Sequence, residues 1–334
     1  MTLAAGARHR PPVRIVFFGS GAFALPILAM LLSRADVDVV GVVSVPDGRA
    51  GRKNAPVAVP VADAARSHEL RLLQYPRVRA PEAIEAIQAL EPDLGVLADF
   101  GQLIPQAILD IPTFGILNVH PSLLPRHRGA TPIAATLAAG DSTAGVSVMQ
   151  MDAGLDTGPI VAAKAWALVG REDAPELERR AAIEGAQLLD RVLDGLASGP
   201  LPSTPQVDAG TTRTRPLRRE AGRLDPHRGA ADLERQVRAL RPWPGTFLEL
   251  ADLRLVVHEA GVGEAERDDL PGVLVADHDG LALATADGRL LLRSVQPAGG
   301  RLMSGAAFLR GRPGVIGSRV LDTAASDGSM EVRR

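Results

Sequence analysis

The first 196 residues alternate between short apolar runs of strand length and longer stretches with helical periodicity. The apolar runs are Val13–Phe18, Val37–Ser44, Leu94–Ala98 and Gly115–Val119, and the helical stretches include Ala80–Leu90 and Glu176–Leu196. Alternation of this kind is typical of βαβ units. It predicts an α/β fold whose mostly parallel sheet is covered by helices on both faces.

The second part of the chain has a different pattern. Residues 198–215 are rich in Pro, Ser, Thr and Gly, which predicts a linker. One helical stretch, Ala230–Leu240, and about five short strand-like runs follow it, which favours a small β-barrel. We therefore predict a disordered tail (1–12), an α/β domain (13–200), a linker (201–215), a barrel domain (216–320) and a second disordered tail (321–334).

Three polar side chains have the spacing of a shared site. Asn118 and His120 come at the carboxyl end of the fourth apolar run, on one face, because strand side chains repeat every second residue. Open α/β sheets bind their ligands at that edge. Asp156 lies in a turn between two further apolar runs and can face His120. The segment Pro121–Gly129, with its two prolines, predicts a stiff loop beside the site.

An amide, an imidazole and a carboxylate suit acyl transfer. Attack of an amine on a formyl carbonyl needs a hydrogen-bond donor for the oxyanion and a group that takes the proton from the amine. It also needs a third group that keeps this proton acceptor in the right charge state. Asn118, His120 and Asp156 meet these needs in that order. An oriented donor contributes about 10²–10³ in rate, and a positioned proton-transfer group about 10²–10⁴. Taken singly, Asn and Asp near turns are more often turn or capping residues, so the residues alone leave a structural role open.

A glycine pattern near the start favours another ligand at first sight. Gly19-Ser-Gly21-Ala-Phe-Ala24 follows the first strand and opens a helical stretch, as a dinucleotide-binding fingerprint does. The second strand, however, ends in Val45-Pro46, where that fingerprint needs an acidic residue for the ribose. We therefore expect a tight turn at the edge of the cleft and no NAD.

Composition excludes several classes of site. The sequence has no cysteine, which rules out disulfides, thiolate catalysis and cysteine metal sites. Its seven histidines lack metal-ligand spacing, so we expect no metal. The longest apolar stretch, about Ala22 to Leu32, is too short for a membrane span, and residues 1–12 lack the apolar core of a signal peptide. We expect a cytoplasmic protein.

Several segments occur in the order found in one known family. They are Pro46–Arg52, Phe100–Pro105, Ser122–Gly129, Met149–Gly158, Leu233–Val237, Arg241–Pro244 and Gln296–Gly299. On these segments the chain resembles the formyltransferases that use 10-formyltetrahydrofolate, and from about Val13 to about Val315 it is most similar to the members that act on methionyl-tRNA. Sugar formyltransferases share the motifs of the first half only. The resemblance implies a Rossmann-like formyltransferase domain followed by an OB-like β-barrel.

The resemblance also implies an activity and a set of site residues. It implies transfer of the formyl group of 10-formyltetrahydrofolate to the α-amino group of methionyl initiator tRNA, with Asn118, His120 and Asp156 matching the family's catalytic trio. The implied folate residues are Phe100, Gly101, Leu103, Ser122, Leu123, Leu124, Pro125 and Gly129. In the expected mechanism Asn118 and protonated His120 stabilise the oxyanion, while Asp156 orients His120 and helps to remove the amine proton through water. A monomer suits the family.

We expect tRNA to bind two basic regions. Asp47–Lys53 has two glycines and three basic residues in seven, which predicts a mobile exposed loop carrying Arg49, Arg52 and Lys53 to the tRNA. The net charge is only −2, but the segment from Arg213 to Arg241 contains nine arginines and four acidic residues. We assign Arg218, Arg219 and Arg301 to backbone phosphates. A solvated helix with pairs such as Glu234 and Arg238 is the alternative for part of this cluster.

Five positions depart from the family pattern. His127 replaces an aromatic residue, Asp99 replaces a small residue before the Phe-Gly pair, and Pro226 replaces a Trp. A basic residue is missing near Pro216, and Gly300 beside Arg301 replaces one of two lysines. The catalytic trio is intact, so these changes bear on folate fit and tRNA affinity and not on the reaction class.

Other function classes remain open. A formyltransferase for a nucleotide-linked amino sugar would share the first domain but is not expected to carry the Arg-rich segment and the Gln296–Gly299 domain. A catalytically inactive nucleic-acid-binding protein would not need the intact trio. A serine hydrolase built on Ser122 is disfavoured because the chain has no Gly-x-Ser-x-Gly elbow.

Overall fold

The computed structural model describes residues 11–50, 55–196, 199, 201–278 and 280–321. Its strands are β1 Val13–Gly19, β2 Val37–Ser44, β3 Gly48–Ala50, β4 Ala55–Val57, β5 Leu72–Gln74, β6 Leu94–Ala98, β7 Ile116–His120, β8 Arg128–Gly129, β9 Thr143–Gln150, β10 Ile160–Ala167, β11 Arg213–Thr214, β12 Thr246–Leu250, β13 Leu253–Gly263, β14 Leu274–Asp277, β15 Gly280–Ala284, β16 Arg289–Pro297 and β17 Met303–Ser304. Its helices are α1 Leu25–Ser33, α2 Pro60–Ser67, α3 Pro81–Gln88, α4 Gln106–Leu109, α5 Pro132–Ala138, α6 Ala174–Leu196, α7 Ala230–Ala239 and α8 Gly305–Gly311, with short 3₁₀ turns at Ala22–Ala24, Arg219–Gly222 and Pro313–Val315.

Contacts divide the described part of the chain into two compact units. The first comprises Met1–Pro125, Gly145–Lys164 and Arg179–Ala209, and the second comprises Arg126–Ala144, Ala165–Glu178 and Gly210–Arg334. This division assigns residues 201–209, which we predict to be linker, to the first unit. None of the described helices is long and apolar enough to cross a membrane.

The first unit is built on a seven-stranded sheet in the order β10-β9-β7-β6-β1-β2-β5. The pairs β1/β2, β1/β6, β6/β7 and β2/β5 are parallel, and β7 pairs with β9 antiparallel. Strands β6 and β7 are buried along their whole length, as expected for central strands covered on both faces. The predicted mostly parallel α/β fold is confirmed.

The strand order creates a crevice beside the centre of this sheet. From β1 the chain moves outward through β2 to β5, and it then returns to place β6 on the other side of β1. Neighbouring parallel strands whose connections leave in opposite directions open a crevice at their carboxyl ends. Here those ends are Gly19 of β1 and Ala98 of β6, which are register partners. Strand β7, which ends at His120, is the next strand along.

The core under this edge contains large apolar side chains. Phe18 of β1 and Phe100 after β6 are buried and meet edge to face, with ring centroids 5.6 Å apart. Both belong to an apolar cluster that also includes Ile108 and Ile116. Truncating a buried Phe costs about 3–5 kcal/mol, so the edge that carries the site rests on a well-packed support.

The second unit contains an antiparallel sheet. Its strands follow the order β12-β13-β16-β15-β14, with β17 paired to β16. Helix α7 buries Leu233 and Val237 in the core of this sheet, which matches the apolar face predicted for residues 230–240. Helix α5 packs against α7 within the same unit. The domain of short strands that we predict as a small OB-like β-barrel is present as this C-terminal antiparallel sheet domain.

The structure differs from the predicted basic loop at Asp47–Lys53. Gly48–Ala50 forms strand β3, which pairs antiparallel with β4. Gly and Ala, two of the three residues of this strand, have low strand propensity, which is why the sequence pattern indicated a loop. Arg52 and Lys53 lie outside the described residues, as do residues 1–10 and 322–334 of the predicted tails.

The loop that follows β7 is anchored within the second unit at its far end. The buried His127 imidazole and the Arg126 guanidinium both bind Asp141, with His127 Nε2 2.7 Å from Asp141 Oδ2. Burial by itself would raise the pKa of Asp141, but the hydrogen bonds from His127 and Arg126 lower it to about 2. Asp141 therefore stabilises the fold above its ordinary pKa of 3.8, and this contribution is lost as the pH falls through about 2.

Candidate active site

Strand β7 and the turn after β9 bring together the three residues expected to form the site. Asn118 Nδ2 donates to Asp156 Oδ1 at 3.3 Å, and His120 Nδ1 lies 3.7 Å from Asp156 Oδ2. The three residues are 6%, 4% and 8% exposed. One carboxylate thus faces both neighbours in a largely dehydrated site, where charge interactions are stronger than in water.

The turn that carries Asp156 has an unusual backbone. Asp156 has φ +55°, a left-handed conformation that costs a non-glycine residue roughly 1–2 kcal/mol. The turn is held by Asp152, whose Oδ1 accepts from the Gly154 N–H at 3.0 Å and from Thr157 Oγ1 at 2.7 Å. Such strain persists only where the surroundings over-determine it.

The end of this turn lies very close to strand β9. A Cβ on Gly158 would sit 1.8 Å from the Gln150 carbonyl oxygen. No side chain fits there, so glycine is required for the turn to reach the strand. Gln150 also makes a hydrogen bond to the residue after this glycine, because its backbone N–H donates to the Pro159 carbonyl at 2.9 Å.

A residue that sequence reasoning missed contacts the same turn. The Gln206 side-chain amide donates to the Asp156 carbonyl at 2.9 Å and to the Gly158 carbonyl at 2.7 Å. Two backbone hydrogen bonds of 2.8 Å between Thr204 and Ile160 hold the Gln206 segment against the first unit. No local pattern marks Gln206, since it lies 50 residues from Asp156 in a segment of linker composition.

The loop after β7 is fixed by a second residue that sequence reasoning missed. Ser147 is fully buried in β9, where it is the register partner of His120. Its hydroxyl donates to the Ser122 carbonyl at 2.8 Å and accepts from the Leu124 N–H at 3.1 Å. A lone polar residue between Val146 and Val148 in an apolar strand was the available signal.

The predicted folate residues fall into three groups. Gly101 has open space where a side chain would be, and Leu103 is 76% exposed, so both are accessible near the carboxyl end of β6. Phe100 is buried under them. Ser122, Leu123, Leu124 and Pro125 form the loop held by Ser147, in which the Leu124–Pro125 peptide bond is cis and Leu123 packs on Gly145.

Gly129 has a packing role that its predicted folate contact did not include. A Cβ at this position, where φ is +112°, would lie 2.4 Å from the Thr214 carbonyl oxygen. Strand β8, which ends at Gly129, pairs in parallel with β11. Glycine therefore permits the approach of Thr214 within the second unit.

Asp99 adds a carboxylate to the crevice between β1 and β6. Its Oδ2 stands where a side chain of Gly21 would be, 1.8 Å from the expected Cβ position, and its carbonyl accepts from the Ser20 N–H at 2.9 Å. The residue keeps part of its surface open to solvent, yet burial of the carboxylate raises its pKa. No hydrogen bond from a described residue reaches this carboxylate.

The nine arginines from Arg213 to Arg241 divide into two sets. Five are engaged by other residues, namely Arg223 by Glu249, Arg228 by Gln236, Arg235 by Asp232, Arg238 by Glu234 and Arg241 by Asp173. The other four, Arg213, Arg215, Arg218 and Arg219, are exposed, and their guanidinium groups have no partner among the described residues. Arg301 is also exposed, whereas the Arg49 side chain lies outside the described part.

The described residues contain no group of three or more His, Cys, Asp or Glu side chains that could hold a metal ion. The acids and imidazoles of the site are instead arranged in pairs with neutral or oppositely charged partners. The chemistry that this arrangement supports is hydrogen bonding and proton transfer at a carbonyl carbon.

Two family models match the chain. Residues 13–193 match "Formyl transferase", and residues 216–313 match "Formyl transferase, C-terminal domain". The first match contains the whole Asn118, His120 and Asp156 site, and the second contains Arg218, Arg219 and Arg301.

Curated relatives match over nearly the full length. A methionyl-tRNA formyltransferase from Trichlorobacter lovleyi is 38% identical over 92% of this chain and 97% of its own length. Another from Halorhodospira halophila is 43% identical over 92% of this chain and 99% of its own. Among solved structures, an N-formyltransferase from Helicobacter canadensis in complex with folinic acid and dTDP-3-aminofucose has a TM-score of 0.62 at 11% identity, covering 84% of this chain and 98% of that one, a likeness of fold alone.

Proposed function

This chain belongs to the methionyl-tRNA formyltransferase family, and on that premise we propose that it transfers the formyl group of 10-formyltetrahydrofolate to the α-amino group of methionyl initiator tRNA. The observation that carries the proposal is the buried carboxylate of Asp156 between Asn118 Nδ2 and His120 Nδ1. Those three groups supply an oriented donor, an imidazole and a charge that orients it.

Asn118 is set to stabilise negative charge on the formyl oxygen. Its amide has two N–H donors, and one is directed to Asp156 Oδ1 at 3.3 Å. That bond fixes the plane of the amide, and no other described residue engages its second N–H. A pre-oriented donor in a water-poor site stabilises developing charge without reorganisation.

His120 and Asp156 handle the proton of the attacking amine. At 3.7 Å their nitrogen and oxygen are within ion-pair range but farther apart than a hydrogen bond. Asp156 therefore orients the imidazole, whose ring N–H adds a second donor for the formyl oxygen. The amine proton is passed to the Asp156 carboxylate through a water molecule, and tetrahydrofolate leaves as the bond between its N10 and the formyl carbon breaks and N10 takes up a proton.

The residues beside the trio fit the folate donor, which supplies the formyl carbonyl. An open backbone at Gly101 and an exposed Leu103 form an accessible apolar edge. The loop from Ser122 to Leu124, which follows His120 in the chain, is held by Ser147 and so needs little ordering on binding. Flat aromatic ligands are typically bound by such an apolar surface with a few fixed polar groups.

The acceptor is tested by comparing charged initiator tRNA, charged elongator tRNA and a nucleotide-linked amino sugar in formyl transfer from 10-formyltetrahydrofolate. We expect transfer to initiator methionyl-tRNA, because the chain carries the tRNA-enzyme motifs of both halves. The measurement is the rate at which N-formylmethionine forms on the tRNA, quantified after the amino acid has been released by deacylation. Transfer to the amino sugar alone would reject the proposed acceptor while keeping the reaction class.

We expect the triple substitution of Arg218, Arg219 and Arg301 by Ala to weaken tRNA binding. These guanidinium groups are exposed and have no described partner, so they are available to backbone phosphates. Each lost phosphate contact reduces the slope of log K against log salt by about 0.7–0.9. The measurement is the equilibrium dissociation constant of methionyl-tRNA at several salt concentrations.

The matched control is the triple substitution of paired arginines Arg235, Arg238 and Arg241 by Ala. These residues are held by Asp232, Glu234 and Asp173, so their loss should change stability more than the salt slope. An unchanged affinity and slope in the first triple variant would reject the assignment.

We propose further that the enzyme acts as a monomer in the cytoplasm, where charged tRNA and folate are found.

A further inference from the structure

We propose that Gln206 is a positioning residue for the reaction, because its side-chain amide clamps the backbone turn that presents the Asp156 carboxylate. The proposal rests on the proposed function for its kinetic test. It adds to the trio a residue from the segment of linker composition, which neither the sequence motifs nor the family match to residues 13–193 includes.

The clamp contacts the backbone of the turn. Gln206 Nε2 donates to the Asp156 carbonyl at 2.9 Å and to the Gly158 carbonyl at 2.7 Å. One NH₂ group therefore uses its two N–H donors on both sides of Thr157. A single side chain thus closes the C-terminal half of the turn, while Asp152 closes the N-terminal half through Gly154 and Thr157.

The turn needs this support because its conformation is strained. Asp156 has φ +55°, and relaxation to an ordinary backbone conformation would swing its side chain away from β7. The carboxylate must stay 3.3 Å from Asn118 Nδ2 and 3.7 Å from His120 Nδ1 to serve both. A misplacement of about 1 Å can cost on the order of 10²-fold in rate.

The chemistry of the clamp requires a neutral double donor. Both contacted groups are carbonyl oxygens, so a carboxylate in the same place would repel them and add a negative charge near Asp156. An apolar side chain of the same length would leave two carbonyls unsatisfied. Leaving a buried polar group unpaired typically costs about 1–3 kcal/mol, enough to release a strained turn.

The chain offers a matched control in its second unit. Gln236 also uses Nε2 to clamp two backbone carbonyls, those of Ala221 at 2.8 Å and Arg223 at 3.1 Å. It is 6% exposed, so its loss is at least as disruptive to packing. Gln236→Met therefore measures the effect of losing a clamp that does not touch the Asp156 turn.

The experiment compares Gln206→Glu, Gln206→Met and Gln236→Met with the unchanged full-length protein. We expect both Gln206 variants to lower kcat about 10- to 100-fold, with the KM for 10-formyltetrahydrofolate and for methionyl-tRNA changed less than about threefold. Gln236→Met should lower the melting temperature and leave kcat at saturating substrate within about twofold. Kinetic effects of this pattern mean that the transition state and not substrate binding has lost support.

A second readout does not depend on activity. The ring resonances of His120, assigned by their loss in His120→Asn, report the position of the neighbouring Asp156 carboxylate. We expect them to move in Asp156→Asn and in both Gln206 variants, and to stay in place in Gln236→Met. If the unchanged protein formylates no acceptor, the proposed function fails while these resonances still decide the role of Gln206.

Two results would overturn the positioning role. One is a Gln206→Met protein whose kcat falls only as far as that of Gln236→Met while the His120 resonances stay in place. The other is a large rise in the KM for folate with kcat preserved, which would make Gln206 a binding residue. Should Gln206→Glu fail to fold, Gln206→Met decides, since it adds no charge.

Discussion

Replacing Asp156 by Asn should reduce kcat by about 10²–10⁴-fold while folate affinity stays within about threefold of the original. Asn has the size of Asp and is among the few residues that tolerate a left-handed backbone, so the turn at φ +55° should persist. What is lost is the negative charge 3.7 Å from His120 Nδ1. Without it the imidazole loses the charge that orients it, and the amine proton loses the carboxylate that takes it up.

The measurement combines steady-state kcat with direct folate titration of the same protein preparation. Leu155→Ala is the control, because Leu155 lies in the same turn but has an apolar side chain that is 53% exposed. It should leave kcat within about twofold. If Asp156→Asn binds folate poorly but keeps a normal kcat, Asp156 is a folate-binding residue and not a catalytic one.

Strand positions were predictable wherever burial on both faces dominated. Strands β2 and β6 begin and end at the residues expected from the sequence. Their apolar runs are bounded by turn-forming residues, and central strands of a sheet need no further signal. The same pattern placed Asn118 and His120 at the carboxyl end of β7, because their alternation with Leu117 and Val119 sets the facing of every side chain.

Elements stabilised by distant partners were not predictable from local pattern. Strand β3 contains Gly48 and Arg49, whose local sequence does not predict a strand. It is defined by its pairing with β4. Gly129 is predicted to contact folate because it ends a family motif, and its approach to Thr214, 85 residues away, is a further reason for the glycine that the motif does not contain. Contacts of this kind depend on the finished fold, so no window of sequence contains them.

The same distinction applies inside the site. The three chemical groups could be placed together because Asn118 and His120 share one face of a strand and Asp156 lies in a turn that can face them, and the family resemblance then implied their roles. Ser147 and Gln206 could not, because they act on backbone atoms and any residue can offer a carbonyl. The supports of a catalytic group are thus less visible in sequence than the group itself. The catalytic roles of the trio remain predictions until variants are measured.

The substitution Asn118→Asp should lower kcat nearly as much as loss of the Asp156 carboxylate does, although it replaces only the amide nitrogen by oxygen and hardly changes the side-chain volume. The Asn118 Nδ2 atom lies 3.3 Å from Asp156 Oδ1, so the substitution would place two carboxylates at that distance in a buried site. Like charges so close cannot both be ionised at low cost. The pair would share one proton, which removes the amide donor and weakens the charge that orients His120.

We expect kcat to fall by about 10²–10³-fold or more in Asn118→Asp, and by about 10²-fold in Asn118→Ala, which removes the donor but leaves Asp156 ionised. The difference between the two variants isolates the electrostatic effect of the added acid from the loss of the amide. It should shrink when the pH is lowered far enough to protonate carboxyl groups in general, because both variants then lack the negative charge beside His120. Equal kcat values for the two variants at every pH would show that Asp156 does not sense position 118, and would separate the amide's role from the Asp156–His120 pair.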